Sequence, residues 1–327
     1  MHRRLMLRGL AAAMAASAAL PSRPARAQPA PWPDRPVRVI VPFPPGGAID
    51  AMARLLAPGL SDALGKPVVV ENRPGAGGTI GTAAAAQSND GHTLLMVSMA
   101  HAVNPALYPR LPYDTRADFA AVAPVAVVPN LLVVPAARAW RSQAELIEAA
   151  RRRPGALTYA SAGSGTSIHL AGALFCALAD IEMTHVPYRG SGPAVADMIA
   201  GRVDAMFDSI TSAMPHIASG RLRALAVTTG RRVAAFPDLP TVAEAGLPGY
   251  ALDPWFAMLA PRGVPEDARA RVGVLIADAL RDPAMTARLT AIGAEPMEGD
   301  AASLERLIGT EIEKWGDLIR RFGIVAD

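Results

Sequence analysis

Two stretches of this chain carry few reactive side chains and yet share the layout of a binding site. Val41 to Arg54 reads VPFPPGGAIDAMAR, and Tyr159 to Gly172 reads YASAGSGTSIHLAG. In each, an apolar run ends in a loop of small residues and a helix begins. Gly46 and Gly47 in the first loop, and Gly163, Ser164, Gly165 and Thr166 in the second, let backbone N–H groups approach a ligand at a helix N-terminus. Such a terminus behaves as about half a positive charge, worth roughly 0.3–1 kcal/mol when exposed and up to about 2 when partly buried. Two facing ends can hold an anion without an arginine.

Other chemistries fail on spacing. GAGGTIG (Gly75 to Gly81) places Ile80 where G-x-G-x-x-G needs its third glycine, and no G-x-x-x-x-G-K-[ST] occurs. A nucleophile elbow is ruled out at Ser164, because Ala162 and Thr166 stand where glycines are required. His169 follows Ser164 and Thr166 by about one helical turn, a spacing that reads as a cap and a helix-face residue, with no orienting acid fixed by spacing. Cys176 lies in the apolar run HLAGALFCALAD and reads as an inert thiol. The six histidines form no H-x-x-x-H or Cys/His cluster, so neither metal nor cofactor is expected.

Several candidates have plainer roles open to them. The glycine pair can simply end a strand, Asp50 is suited to the first turn of a helix whether or not it meets ligand, and Thr166 is an N-cap type. Asn104 before Pro105 reads as a turn residue, and His169 as a hydrogen-bonded structural histidine. Asp208, at a strand end, would repel an anion unless it met an ammonium group or a water.

The elements that must position these loops alternate. Strands are expected at 36–43, 68–71, 93–98, 157–161, 183–187, 203–208 and 224–228. Helices are expected at 47–64, 79–87, 143–152, 166–179, 193–200, 266–280, 283–292 and 301–322. Ile49, Met52, Ala53, Leu56, Leu60 and Leu64 make one apolar face, with Pro58-Gly59 expected to kink or break that helix. The alternation indicates α/β architecture with parallel sheets covered by helices. A chain of 327 residues, 51% apolar, exceeds what one core usually holds, so two domains are expected. VAPVAVVPNLLVVP (Val122 to Pro135) and YALDPWFAMLAP (Tyr250 to Pro261) read as two crossings between them. The first domain is then 28–130 plus 254–327, the second is 131–253, and the ligand cleft lies between them.

Residues 1–27 read as a secretory signal: Arg3, Arg4 and Arg8, an apolar run, then Ala25-Arg26-Ala27. The run RRLMLR also fits a twin-arginine signal. The mature chain is expected to start near Gln28, exported and soluble. Removing five arginines (Arg3, Arg4, Arg8, Arg23, Arg26) and no acid moves the formal charge from +3 to −2, which argues against a nucleic-acid partner.

VPFPPGGAIDAMAR, VVVENRPGAGGTIGT, HAVNPALY, GSGTSIHLAG, HVPYRGSGPA, GRVDAMFD, PDLPTVAEAGLPGY and WFAMLAPRGVP, in that order, cover nearly the whole mature chain. Together they resemble the signature blocks of the Bug family, the TctC-type periplasmic substrate-binding proteins of tripartite tricarboxylate transporters. The resemblance implies a two-domain periplasmic-binding-protein (Venus flytrap, type II-like) receptor. It would be a monomer that closes on a small carboxylate and hands it to membrane permease subunits. It also implies that Phe43, Pro44, Gly46, Gly47 and Asp50 receive one carboxylate through backbone groups and bridging waters. Ser161, Ser164, Gly165, Thr166, Ser167 and His169 would hold the other end. Asn72, Ser98, His101, Asn104, Tyr188, Arg189 and Asp208 would line the rest of the cleft. Which carboxylate is bound does not follow from the blocks. An exported enzyme of the same architecture, using Ser164, Thr166 or His169 in acyl or proton transfer, and a ligand-reporting sensor subunit are the alternatives.

Overall fold

The structure, a computed structural model, describes residues 32–325; the expected signal segment lies outside them. From Arg35 onward the chain forms one compact unit containing two sheets. The first sheet contains β1 (Val37–Val41), β2 (Val68–Asn72), β3 (Thr93–Ser98), β4 (Phe119–Val127), β10 (Trp255–Pro261) and the short β11 (Glu295–Pro296), in the order β11-β4-β10-β3-β1-β2. The second contains β5 (Asn130–Pro135), β6 (Thr158–Ser161), β7 (Thr184–Pro187), β8 (Ala205–Ser209) and β9 (Leu222–Val227), in the order β7-β6-β8-β5-β9.

Helices α1 (Ala48–Leu64), α2 (Thr79–Ala86), α3 (Ala100–Leu107), α8 (Glu266–Arg281), α9 (Pro283–Ala291) and α10 (Ala301–Phe322) accompany the first sheet. Helices α4 (Gln143–Arg152), α5 (Ser167–Ala179), α6 (Ser191–Ile199) and α7 (Ile210–Ala218) accompany the second. In α1 the buried set includes Ile49, Met52, Ala53, Leu56, Leu60 and Leu64, the stripe that a 3.6-residue period requires. Trp315 of α10 is fully buried, and its indole N–H donates to Glu311 Oε2 at 2.8 Å, so the ring brings no unpaired polar atom into the core.

The sheets are mixed, not purely parallel as the alternation suggested. In the first, β10 runs antiparallel to β3 and β4; in the second, β5 runs antiparallel to β8 and β9. These are the strands by which the chain arrives from the other sheet. The β4 strand passes into β5 through Val128 and Pro129, and the return enters β10 after Pro254, where Val128 N–H donates to Pro254 O at 2.9 Å. A chain arriving at the end where β6 and β8 finish can only run away from them, which dictates the reversed direction. The two apolar segments read as crossings are therefore mostly strand.

Three local expectations change. Pro58 neither ends nor splits α1: it is exposed, and the carbonyl of Arg54 that it leaves without a donor is on an exposed residue. Asn104 and Pro105 are not a turn but lie inside α3, which the spacing did not reveal, and α7 was likewise unread. Both are short helices interrupted by proline, too brief for a periodic signal. Among the described residues no helix is long and apolar enough to cross a membrane.

Candidate functional site

A cavity of about 450 Å³ lies where the strand ends of the two sheets meet. Its wall takes Ser98 from the end of β3, Phe256 from the start of β10, Asn130 from the start of β5 and Ser209 from the end of β8. The residues that cap α1, α5, α6 and α7 (Gly47, Thr166, Gly190 and Ser209) all line it. Sequence reading found two of these helix ends; the fold assembles four. The first-turn amides of a helix have no intrahelical acceptor, and each end carries about half a positive charge. No Asp or Glu is among the lining residues, whereas Arg189 is; His216 also lines the cavity, with burial and the nearby Arg221 lowering its pKa and so favouring its neutral form. The cavity is therefore built for an anion.

The first loop is held from behind by an ionic network. Asp50 is 4% exposed, and its Oδ2 accepts the Gly46 N–H at 3.0 Å and Arg54 Nε–H at 2.9 Å. Asp50 Oδ1 accepts from Asn72 Nδ2 at 2.9 Å, and the same amide group donates to Phe43 O at 3.0 Å. Burial opposes ionisation of Asp50, but the Arg54 bond, the Gly46 amide and Asn72 outweigh it and hold the carboxyl below its usual range. Gly46 has φ +87, which favours glycine, and its amide is turned to Asp50, so it is not bare as the sequence suggested. At Gly47 (φ −84) a Cβ would meet nothing within 4 Å.

The second loop is held by hydroxyl, carbonyl and imidazole groups. Thr166 Oγ1 accepts the His169 N–H at 3.3 Å and donates to Gly163 O at 2.7 Å. The Gly165 N–H donates to His169 Nδ1 at 3.2 Å. Beneath, the His169 ring stacks on His185 with centroids 4.2 Å apart, and His185 Nε2 lies 2.7 Å from Ser161 Oγ. Ser161 Oγ in turn accepts from Gly163 N–H at 3.1 Å. The loop also touches the first half. The Tyr108 hydroxyl reaches Ser164 O at 3.4 Å, and a Cβ on Gly77 would come within 2.6 Å of that same oxygen.

Of the residues singled out from sequence, Phe43, Pro44, Gly46, Gly47, Ser98, Thr166, Ser167 and Arg189 line the cavity. Asp50, Asn72, Ser161, Gly165 and His169 support its loops from behind. Tyr188 donates its hydroxyl to Asp197 at 2.8 Å, and burial together with that carboxylate pushes the phenol up to about 12. Asp208 is fully buried behind Ser191, whose hydroxyl donates to Asp208 Oδ1 at 2.7 Å, and burial pushes the carboxyl up to about 6.

His101 and Asn104 lie elsewhere. The His101 ring stacks near Tyr113, meets Phe119 edge to face and contacts Thr115 O at 3.2 Å, and burial pushes it down to about 4. Asn104 donates to Gly77 O at 3.3 Å, and its Oδ1 faces Gly165, where an added Cβ would stand 2.9 Å away. Sequence reading missed Asn130, Ser191, Ser209, Thr211, Ser212, His216 and Phe256. Ser209 had a signal, a serine between the strand residues and the helix start within FDSITSAM; Asn130 and Phe256 had none. Cys176 is half-buried, and burial pushes its thiol up to about 12, which suits an inert packing group. Among the described residues no group of three or more His, Cys, Asp or Glu could hold a metal ion.

The family model "Tripartite tricarboxylate transporter family receptor" (TctC) matches residues 52–324. The chain is 44% identical to the "UPF0065 protein in tcbD-tcbE intergenic region" of Pseudomonas sp. (strain P51), covering 99% of this chain and 96% of that protein. It is 40% identical to Protein BugT of Bordetella pertussis, covering 89% and 90%. Among solved structures it is similar to R. palustris Rpa4515 with adipate (TM-score 0.87, 38% identity, 90% of this chain and 99% of that one). It is also similar to MatC from Rhodopseudomonas palustris with bound malate (TM-score 0.83, 34% identity, 88% and 100%).

Proposed function

The chain belongs to the tripartite tricarboxylate transporter receptor (TctC) family, of two-domain periplasmic-binding-protein architecture, and we propose that it is a periplasmic receptor for a small carboxylate. The observation that carries this reading is the convergence of four helix N-termini on one cavity whose lining contains no acid. One carboxylate is received by the first-turn amides after Gly47, with the Ser98 hydroxyl beside them. The rest of the ligand is held against Thr166, Ser167 and the starts of α6 and α7. Waters bridge where side chains stand back, at little cost in affinity. Asp50, Asn72, Ser161 and His169 act through the loops they hold.

On this reading the receptor consists of domains 28–130 plus 254–327 and 131–253, is exported through the N-terminal segment, closes at the paired crossings Val128–Pro129 and Pro254, and delivers its ligand as a monomer to membrane permease subunits. Supporting the limits is the fact that the chain changes sheet at those two places. Adipate and malate, bound by two similar proteins, are the first ligands to try.

The test is to purify the chain from Gln28, identify any co-purified small molecule by native mass spectrometry, and measure melting shifts with a panel of carboxylates. A ligand at about a hundred times its Kd contributes roughly 2.7 kcal/mol. Stabilisation by a carboxylate that is recovered unchanged is the expected outcome. A ligand recovered as product would replace the receptor with an enzyme, and no shift across the panel would remove the carboxylate.

A further inference from the structure

The hydroxyl protons around the cavity are unevenly spent. Ser98, Ser167 and Ser209 each accept a bond at Oγ, from Ala100 N–H, Asn130 Nδ2 and Ser212 N–H respectively, which leaves their own protons to offer inward. Ser191 is different. Its single proton goes to Asp208 Oδ1 at 2.7 Å, and an ionised carboxylate can only accept, so Ser191 Oγ presents lone pairs to the cavity. Asp208 is 0% exposed and sits in β8 opposite Leu131 of β5. The next residue pair in that ladder is Ser209 opposite Asn130. Asn130 is also 0% exposed and lines the cavity; its Nδ2 is used on Ser167, while its Oδ1 is buried without a partner. A buried acceptor left unpaired is costly, and a hydroxyl whose proton is already committed opposes a bare carboxylate oxygen.

We infer that Ser191 Oγ is an acceptor subsite that selects a carboxylate bearing an O–H or N–H donor over its unsubstituted analogue. The inference rests on the carboxylate-receptor reading and narrows its ligand class. One part of the cavity then holds charge with amides and hydroxyl protons, and the other checks for a donor group. Asp208 is the positioning residue: it touches no ligand but orients the Ser191 hydroxyl. A site built to receive a donor rejects the analogue lacking it, because its own polar atoms are then left unpaired.

The test compares matched pairs by calorimetry on the mature chain: malate against succinate, and 2-hydroxyadipate against adipate, with aspartate added to separate a hydroxyl from an ammonium donor. The donor-bearing member should bind about tenfold tighter or more. In Ser191→Ala, and in Asp208→Asn where the amide can donate back to Ser191, the ratio within a pair should fall to about twofold or less, with unliganded melting confirming that each variant is folded. Equal binding within every pair by the wild-type protein, while carboxylates still bind, would overturn the subsite and leave the receptor standing. A ratio unmoved by Ser191→Ala would overturn it as well. If no carboxylate binds at all, the receptor reading fails and the subsite with it.

Discussion

The two loops that begin α1 and α5 look alike in sequence and are stiffened by different physics. The first rests on a buried carboxylate that gathers a backbone amide, a guanidinium and a side-chain amide. The second rests on a threonine cap and stacked imidazoles, with hydroxyl, carbonyl and ring-nitrogen acceptors within the loop. An acid can sit behind the first loop because Arg54 and two further hydrogen bonds, from the Gly46 amide and Asn72, neutralise and satisfy it. In the second loop hydroxyl, carbonyl and imidazole acceptors do the same task without adding negative charge behind a helix N-terminus. Holding amides still toward a ligand thus requires a satisfied acceptor behind them, and its charge is free to differ.

The comparison is broken most severely at Gly47. Valine there adds bulk into open space at an ordinary φ, so Gly47→Val should lose at least about a hundredfold in carboxylate affinity by calorimetry. The unliganded fold should weaken by only about 1 kcal/mol, from the poorer cap. Next comes Asp50→Ala, which removes the acceptor of the whole first network. About 1–3 kcal/mol of stability should disappear in denaturant titrations, the lower end favoured because Arg54 is half exposed and can turn to water. The folded Asp50 carboxyl is held below its ordinary value of 3.8, so its contribution is complete above that value and is lost as pH falls through the lower folded one. The corresponding slope in stability below pH 4 should be absent from Asp50→Asn.

Smaller effects belong to the second loop. Thr166→Ala should cost about 1 kcal/mol through the lost cap and also weaken binding, because Thr166 lines the cavity. Ser164→Ala should change affinity least, less than about threefold, since Ser164 is not a lining residue of the cavity. If the Ser164 change weakened binding more than the Thr166 change, the assignment of roles within this loop would be reversed.

Sequence by itself determined the α/β alternation, the apolar face of α1, and the strand, small-residue loop and helix order that makes an anion site, because these are set by residues within a few positions of one another. It also carried the family, through eight blocks in order. It did not reveal α3 and α7, whose prolines interrupt their short periods, nor the antiparallel direction of β5 and β10, which follows from where the chain crosses between sheets. Tertiary structure alone decided which candidates face the cavity. Asp50 and Asp208 turn inward to satisfy neighbours, His101 enters an aromatic cluster, and Asn130, Ser191, Ser209 and His216 arrive from parts of the chain with little or no common signal. A cavity wall is assembled from residues remote in sequence, and only packing fixes which side of each element it sees.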